Sequence, residues 1–347
     1  MTVISCVQLP SRVFLLGDTL LSAPGPAKPV YLPFVGSKSH SPSKSLPLYV
    51  PSGLHQKIGI MNDHVAVAWS GAFHVAWAAI KSLRERVVTP DNAIHHLDVI
   101  LSEFSTDERQ SVTLFLVCLK EVDHATGRIS LYFRGADGTT HYQLNVGRIW
   151  ASGSGAEKFG DALVSMLMQE QNYRFFVEDA KYSSSWMPLM TSIAHANAGE
   201  FFRGRVAEEM YGAAYELVMG DTRRSSMAFS KVDKVAYGFW RVQRDSDGIH
   251  FDLQRDFVCQ WYNEECLYVL RDSFVPYEGQ QSFLTCIPPP WSASSPRLVD
   301  LHAISFHSRW VIHTLLFQDH NEGIVASAVY ITPSSICSVS NWRCFHI

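Results

Sequence analysis

Apolar positions change period along the chain, and the change outlines the fold. Residues 3–9, a β-branched run, and 12–16 predict two short strands, with Pro10-Ser11 at the turn and Gly17-Asp18 closing the second. Lys57–Ile60 and Val65–Ala68 predict a second hairpin that turns at Met61-Asn62-Asp63 and ends at Ser70-Gly71. The period then becomes helical. Phe73, Ala76, Trp77 and Ile80 predict a helix over 72–87, and Ile94, Leu97, Ile100, Leu101 and Phe104 form a stripe over 91–105. Strands are expected at 111–120, 128–134 and 141–150, the last two separated by a turn at Gly135-Ala136-Asp137-Gly138. Ser152-Gly153-Ser154-Gly155 leads into a helix over 156–171, residues 172–185 read as irregular, and 187–219 read as a long helical region. Strands near 235–243 and 248–253 flank the turn Asp245-Ser246-Asp247-Gly248.

Residues 23–54 interrupt this pattern. They hold seven of the sixteen prolines, which remove ladder donors, so the segment reads as one long irregular loop. The order is two hairpins, two helices, further strands, two helices, then strands. Two sheets packed face to face with helices outside both would satisfy it.

Composition narrows the picture. A chain of 347 residues with 47% hydrophobic content has the length for about two domains, or one large domain with appendages. A net charge of −4 without a basic run gives no electrostatic case for nucleic acid or an anionic membrane. Apolar stretches fall short of the roughly 20 residues that span a bilayer. Arg12 and Asp18 interrupt the early apolar run, so no secretion signal is expected. Seven scattered cysteines without a CxxC pair point to buried thiols in a reducing, cytoplasmic compartment. His95-His96, His302, His307, His313 and His320 lack a tight ligand motif, so neither a metal nor another cofactor is expected.

The candidate chemistry starts at Thr2. If Met1 is removed, the Thr2 hydroxyl lies beside a free α-amine with a pKa of roughly 7.7–8.0, which can serve as its base. One residue then supplies nucleophile and base. A β-branched strand follows directly.

Four elements in order resemble the proteasome-type N-terminal nucleophile hydrolases, the proteasome β subunit and the bacterial HslV peptidase. They are Thr2, Asp18 ending the second strand, Lys57 opening the next hairpin, and Gly71 ending that hairpin before a helix. The spacings from Thr2 to Asp18 and from Lys57 to Gly71 are those of the family, and Gly153-Ser154-Gly155 resembles its later Gly-Ser-Gly element. The resemblance covers residues 2–172 well and 206–253 loosely. It implies an α+β fold, a four-layer αββα sandwich over 1–258 with insertions at 23–54 and 172–200. Residues 259–347 have no counterpart in the family; rich in Trp, Tyr and Phe and broken at Pro288-Pro289-Pro290-Trp291, they are expected to form a β-rich extension packed on the core. The resemblance implies a threonine peptidase that cleaves peptide bonds through an acyl-enzyme. The catalytic set would be Thr2, Asp18, Lys57, Gly71 and Ser154, with Ser22, Trp69 and Phe73 contacting substrate. Partners would be a peptide or protein substrate and further copies of the chain in a ring-like homo-oligomer, with any unfoldase unspecified. A small-amide acylase and a catalytically silent binding or assembly module are the other readings open.

The chain also departs from the family. The segment between Asp18 and Lys57 is longer, and Leu20 stands where the family has Arg. Lys28, Lys38 and Lys44 compete with Lys57, but they lack an Ile-x-Ile strand behind them. Asp221 and Ser225 are the positions that could support the nucleophile's amine.

Overall fold

The computed structural model describes residues 2–25, 32, 49–121, 127–135, 138–145, 147–168, 210–213, 215–222 and 227–231, and strand backbones between 234 and 345. The chain forms two compact units: residues 1–30, 39–185 and 206–231, and residues 31–38, 186–205 and 232–347.

The first unit is built on the expected N-terminal hairpin, β1 (Val3–Gln8) and β2 (Arg12–Asp18). Every β2 residue is buried, as befits a central strand covered on both faces. Strand β10 (Gly147–Gly153) pairs with β1, and β11 (Tyr215–Asp221) pairs with β2. With β9 (Thr140–Leu144) and β12 (Ala228–Lys231) at the edges, these make a six-stranded antiparallel sheet. A four-stranded antiparallel sheet has the order β5 (Ile58–Asn62), β6 (Val65–Gly71), β7 (Val112–Glu121), β8 (Gly127–Gly135).

Alternation along β6 sorts the core into two layers. Ala66 and Ala68 pack with Ile4, Cys6, Val13, Leu15 and Val218 of the six-stranded sheet. Val65, Val67 and Trp69 pack instead with Val75, Ala79 and Leu83 of α1 (Phe73–Arg84) and Leu97 and Leu101 of α2 (Ala93–Ser102). Helix α4 (Ala156–Met168) lies against β1, β9 and β10. The unit thus has mixed α/β content, with two sheets in contact and helices packed on each.

Several expectations are corrected. The stripe over 91–105 ends at Ser102, because Ser105 caps a separate short helix, α3 (Thr106–Gln110), in a capping box with Glu108. The strand expected over 141–150 is two strands, β9 and β10, folded back at a turn that includes Asn145. The helical region expected over 187–219 ends instead in strand β11, while 187–209 lies outside the described residues. Both ends of the proline-rich segment are strands, β3 (Leu20–Pro24) and β4 (Tyr49–Leu54). Proline is tolerated in this two-stranded ladder because it is all edge; the register slips between Leu21 and Ser22, beside Pro51.

The second unit is one antiparallel sheet in the order β15 (Val269–Asp272), β14 (Gly248–Gln260), β13 (Lys234–Asp245), β16 (Leu298–Phe306), β17 (Trp310–Asp319), β18 (Gly323–Thr332), β19 (Ser335–Phe345). The expected hairpin is present as β13 and β14, its turn residues 246–247 lying outside the described set.

Candidate active site

Strand β1 starts at Val3, so Thr2 stands at its open end, 1% exposed. The hairpin register pairs Ile4 with Gly17, which brings Asp18 beside Thr2. Asp18 is wholly buried and four donors converge on it. Its Oδ1 accepts from Thr2 Oγ1 at 2.8 Å, from the Val3 N–H at 2.8 Å and from Lys57 Nζ at 2.5 Å. Its Oδ2 accepts from the Gly212 N–H at 2.9 Å. Burying a carboxylate is costly unless such partners compensate it.

Lys57, just before β5, has no exposed surface. Its Nζ also donates to the Leu20 carbonyl at 2.6 Å and lies 6.0 Å from the Trp69 ring centroid. Burial lowers its pKa from the ordinary lysine value, while the charges of Asp18 and Glu216 oppose that shift. Glu216, on β11 and 1% exposed, uses Oε2 to accept the backbone N–H groups of Lys57 at 2.6 Å and Ile58 at 2.9 Å.

Two glycines end strands in left-handed conformations, and the residues before them, Ser70 and Ser152, meet at 3.2 Å between their hydroxyl oxygens. Gly71 ends β6 with φ +95, and a Cβ there would sit 2.2 Å from the Ser111 carbonyl oxygen. It is exposed although the six residues before it are buried. Gly153 has φ +106, and a Cβ there would lie 1.9 Å from the Thr2 carbonyl oxygen. Only glycine permits that approach, and it seats Ser154 Oγ 3.2 Å from the Thr2 nitrogen, which donates to it.

The turn that presents Gly212 is strained. Met210 at φ 54 and Ala213 at φ 76 are left-handed without being glycine, which costs roughly 1–2 kcal/mol per residue. Such strain persists where surrounding structure imposes it. Here the Gly212 N–H binds Asp18, and its carbonyl accepts from the Leu20 N–H at 3.2 Å.

Beside the polar cluster stands an aromatic group. His55 lies 4.7 Å from Phe73, 5.1 Å from Trp77 and 6.3 Å from Trp69 by ring centroids. Trp69 is 1% exposed and its Nε1 donates to the Gln56 carbonyl at 3.3 Å, so it is a core residue whose ring backs this group. Phe73, 36% exposed, is the most exposed member of the group, with His55 and Trp77 half-buried. Ser22 is half-buried on β3, two residues beyond Leu20.

The structure therefore brings Thr2, Asp18, Lys57 and Ser154 together, with Phe73 and Trp69 in one ring cluster. Asp221 is elsewhere. It pairs in register with Arg12 while Tyr215 pairs with Asp18, so it lies at the opposite end of β11, six residues or roughly 20 Å away at strand rise. There its carboxylate faces the Arg12 guanidinium at 3.7 Å. Ser225, Lys28, Lys38 and Lys44 lie outside the described residues.

Sequence reasoning missed Glu216, Gly212, His55 and Trp77. For Glu216 and Gly212 the signal was an acidic residue and a glycine in a continuous apolar run, which was read as helix. Cys6 and Cys118 are buried free thiols, the latter with its pKa pushed up to about 12 by burial. Among the described residues no group of three or more His, Cys, Asp or Glu side chains is placed to hold a metal ion, and no helix is long and apolar enough to cross a membrane.

No protein-family model matches the sequence, and no curated protein matches it. Among solved structures the chain is similar to eukaryotic HslV from Trypanosoma brucei, at 13% identity and a TM-score of 0.33, over 63% of this chain and 99% of that one.

Proposed function

We propose that this protein is an N-terminal threonine hydrolase that cleaves an amide bond through an acyl-enzyme, on a four-layer αββα scaffold of the proteasome type. One observation carries the reading: Thr2 Oγ1 and Lys57 Nζ meet on the same buried oxygen, Asp18 Oδ1. A hydroxyl, a buried ammonium and a carboxylate so joined form an activated nucleophile.

Removal of Met1 turns the Thr2 nitrogen into a primary amine beside Ser154 Oγ. That amine takes the Oγ proton, directly or through a water, as Oγ attacks the substrate carbonyl. Lys57 as an ammonium favours the developing alkoxide, and Asp18 keeps it charged and aimed. The Gly71 N–H faces the oxyanion, and losing such a donor costs roughly 10²–10³ in rate. Collapse breaks the C–N bond, the proton passes to the leaving nitrogen, and an ester on Thr2 remains. Water then hydrolyses the ester and restores the hydroxyl. Each step moves protons and one acyl group, and no cofactor is required.

Phe73, backed by Trp69, gives the substrate an apolar wall, with Ser22 along the approach. No acidic side chain occupies these positions, so apolar residues before the cleaved bond are favoured over basic ones. The substrate is a peptide or protein, and the chain assembles with further copies of itself in a ring-like homo-oligomer. Fluorogenic peptides that differ only before the cleaved bond test the reading, with native mass spectrometry for the assembly. Hydrolysis of apolar peptides that is lost in Thr2→Ala supports it. Undiminished hydrolysis by Thr2→Ala contradicts it.

A further inference from the structure

A carboxylate in the middle of an apolar strand needs a physical reason. Glu216 sits in Tyr215-Glu216-Leu217-Val218, a run that is buried throughout. Burying its charge costs several kcal/mol unless partners offset it. Two of those partners are the consecutive backbone N–H groups of Lys57 and Ile58, both on Oε2. In a regular strand successive N–H groups point to opposite sides. Two that reach one oxygen require the backbone to bend between them, in the manner of an anion-binding nest. The Lys57 carbonyl is fixed as well, accepting from the Trp69 N–H at 3.0 Å. Glu216 therefore holds the bend just ahead of β5 from which the Lys57 side chain leaves toward Asp18.

The neighbouring strand leaves room for this. Gly17 pairs with Glu216 across β2 and β11. A Cβ on Gly17 would come within 3.3 Å of Lys57 Cβ and 3.4 Å of Ile58 Cγ1. The groups whose charge acts on the Lys57 ammonium are Asp18 from β2 and Glu216 from β11. Asp18 accepts from the hydroxyl and the ammonium, while Glu216 accepts from the backbone N–H groups of Lys57 and Ile58.

The geometry points to Glu216 as a positioning residue for the proposed reaction, one that fixes the backbone bend at Lys57 and adds a second negative charge against its ammonium. This rests on the reading of Thr2 as nucleophile, but its consequences at Lys57 can be read without turnover.

The test uses the full-length protein with ¹⁵N-labelled lysine, compared with Glu216→Gln and Glu216→Ala. Gln keeps an oxygen for the two amides and removes the charge. With Glu216→Gln, kcat should fall at least about fivefold with KM within about twofold, and Lys57 Nζ should titrate about one pH unit lower. The basic limb of the rate profile should move with it. With Glu216→Ala the bend is lost too, and kcat should fall further. Wild-type kcat and an unmoved Lys57 titration in Glu216→Gln would overturn the proposal, whatever the change in melting temperature. If neither variant folds, amide exchange of the wild-type protein decides. Lys57 and Ile58 should then be protected as strongly as the core amides of β6, and rapid exchange there overturns the bend. A wild-type protein that shows no turnover but has a Lys57 titration shifted by Glu216→Gln would refute the hydrolase reading and leave the pairing standing.

Discussion

Strands β2 and β11 carry a buried ion pair at each end, and the two pairs differ in what else they hold. At one end Asp221 faces Arg12 at 3.7 Å, with side chains 6% and 5% exposed. At the other end Asp18 faces Lys57 at 2.5 Å, with both side chains fully buried. The Arg12 end is closed off by Thr222, whose N–H and hydroxyl each donate to the Ser11 carbonyl at 3.0 Å. The Asp18 end gathers a threonine hydroxyl, two backbone amides and an ammonium on one carboxylate. An ion pair alone therefore marks nothing in this fold. What distinguishes the Asp18 end is the buried threonine hydroxyl that shares a carboxylate oxygen with the lysine ammonium.

The largest expected effect separates the two ends. Thr2→Ala should lower kcat/KM by about 10³ or more, as removal of a nucleophile that acts in a unit does. Its melting temperature should stay close to that of the wild type. Lys57→Ala should lose activity to a similar degree and also destabilise, because it leaves Asp18 buried without its cation. Arg12→Ala should cost about 3 kcal/mol in urea unfolding, the order seen when one partner of a buried pair is removed, with kcat of the folded fraction within about threefold of wild type. A collapse of kcat in Arg12→Ala would erase the distinction.

A pH experiment sharpens the same contrast. The folded pKa of Lys57 is depressed below its unfolded value of 10.5 by burial. Its contribution to stability is thus fully present above the unfolded value and lost as pH falls through the folded one. Catalysis runs the other way, because it needs the ammonium. Between the depressed value and 10.5, the stability of wild type relative to Lys57→Met should rise with pH while kcat falls. Parallel changes in both quantities would contradict the assignment. Arg12, charged throughout, should give no such divergence.

Next in size is the aromatic group. Trp69→Ala should cost about 3–5 kcal/mol, as deletion of a core aromatic does, and Phe73→Ala much less, since it is already 36% exposed. Phe73→Ala should raise KM for apolar peptides several-fold, as measured with the fluorogenic panel. The smallest effect concerns the strained turn. Ala213→Gly should stabilise by up to about 1 kcal/mol, the relief of a left-handed alanine offset by glycine's unfolded-state freedom.

These contrasts also show where the sequence was readable. Val3–Val7 and Lys57–Ile60 were legible because β-branched runs ended at turn residues, and the two spacings that flank them placed Thr2, Asp18, Lys57 and Gly71 in order. Glu216 was hidden because β11 is buried on both faces. A strand so placed is a continuous apolar run with no alternation, which periodicity cannot tell from a buried helix. Asp221 drew notice as a position that could support the nucleophile's amine after an expected helix, yet only the strand register shows which end of β2 it meets. The β3–β4 ladder was obscured by Pro24 and Pro51, which an edge pairing accommodates. The break between α2 and α3 turned on Ser105, whose capping box with Glu108 was overlooked beside the apolar stripe.

The central claim is that Thr2, with a free amine, is the nucleophile. Intact and peptide mass spectrometry of the purified protein, before and after treatment with a peptide epoxyketone that reacts with an amine and a hydroxyl on one residue, tests it most directly. The predicted result is a chain that lacks Met1 and takes up one adduct, mapped to Thr2, with uptake abolished in Lys57→Ala. Retention of Met1 in protein that hydrolyses peptides, or an adduct mapped to another residue, would contradict it.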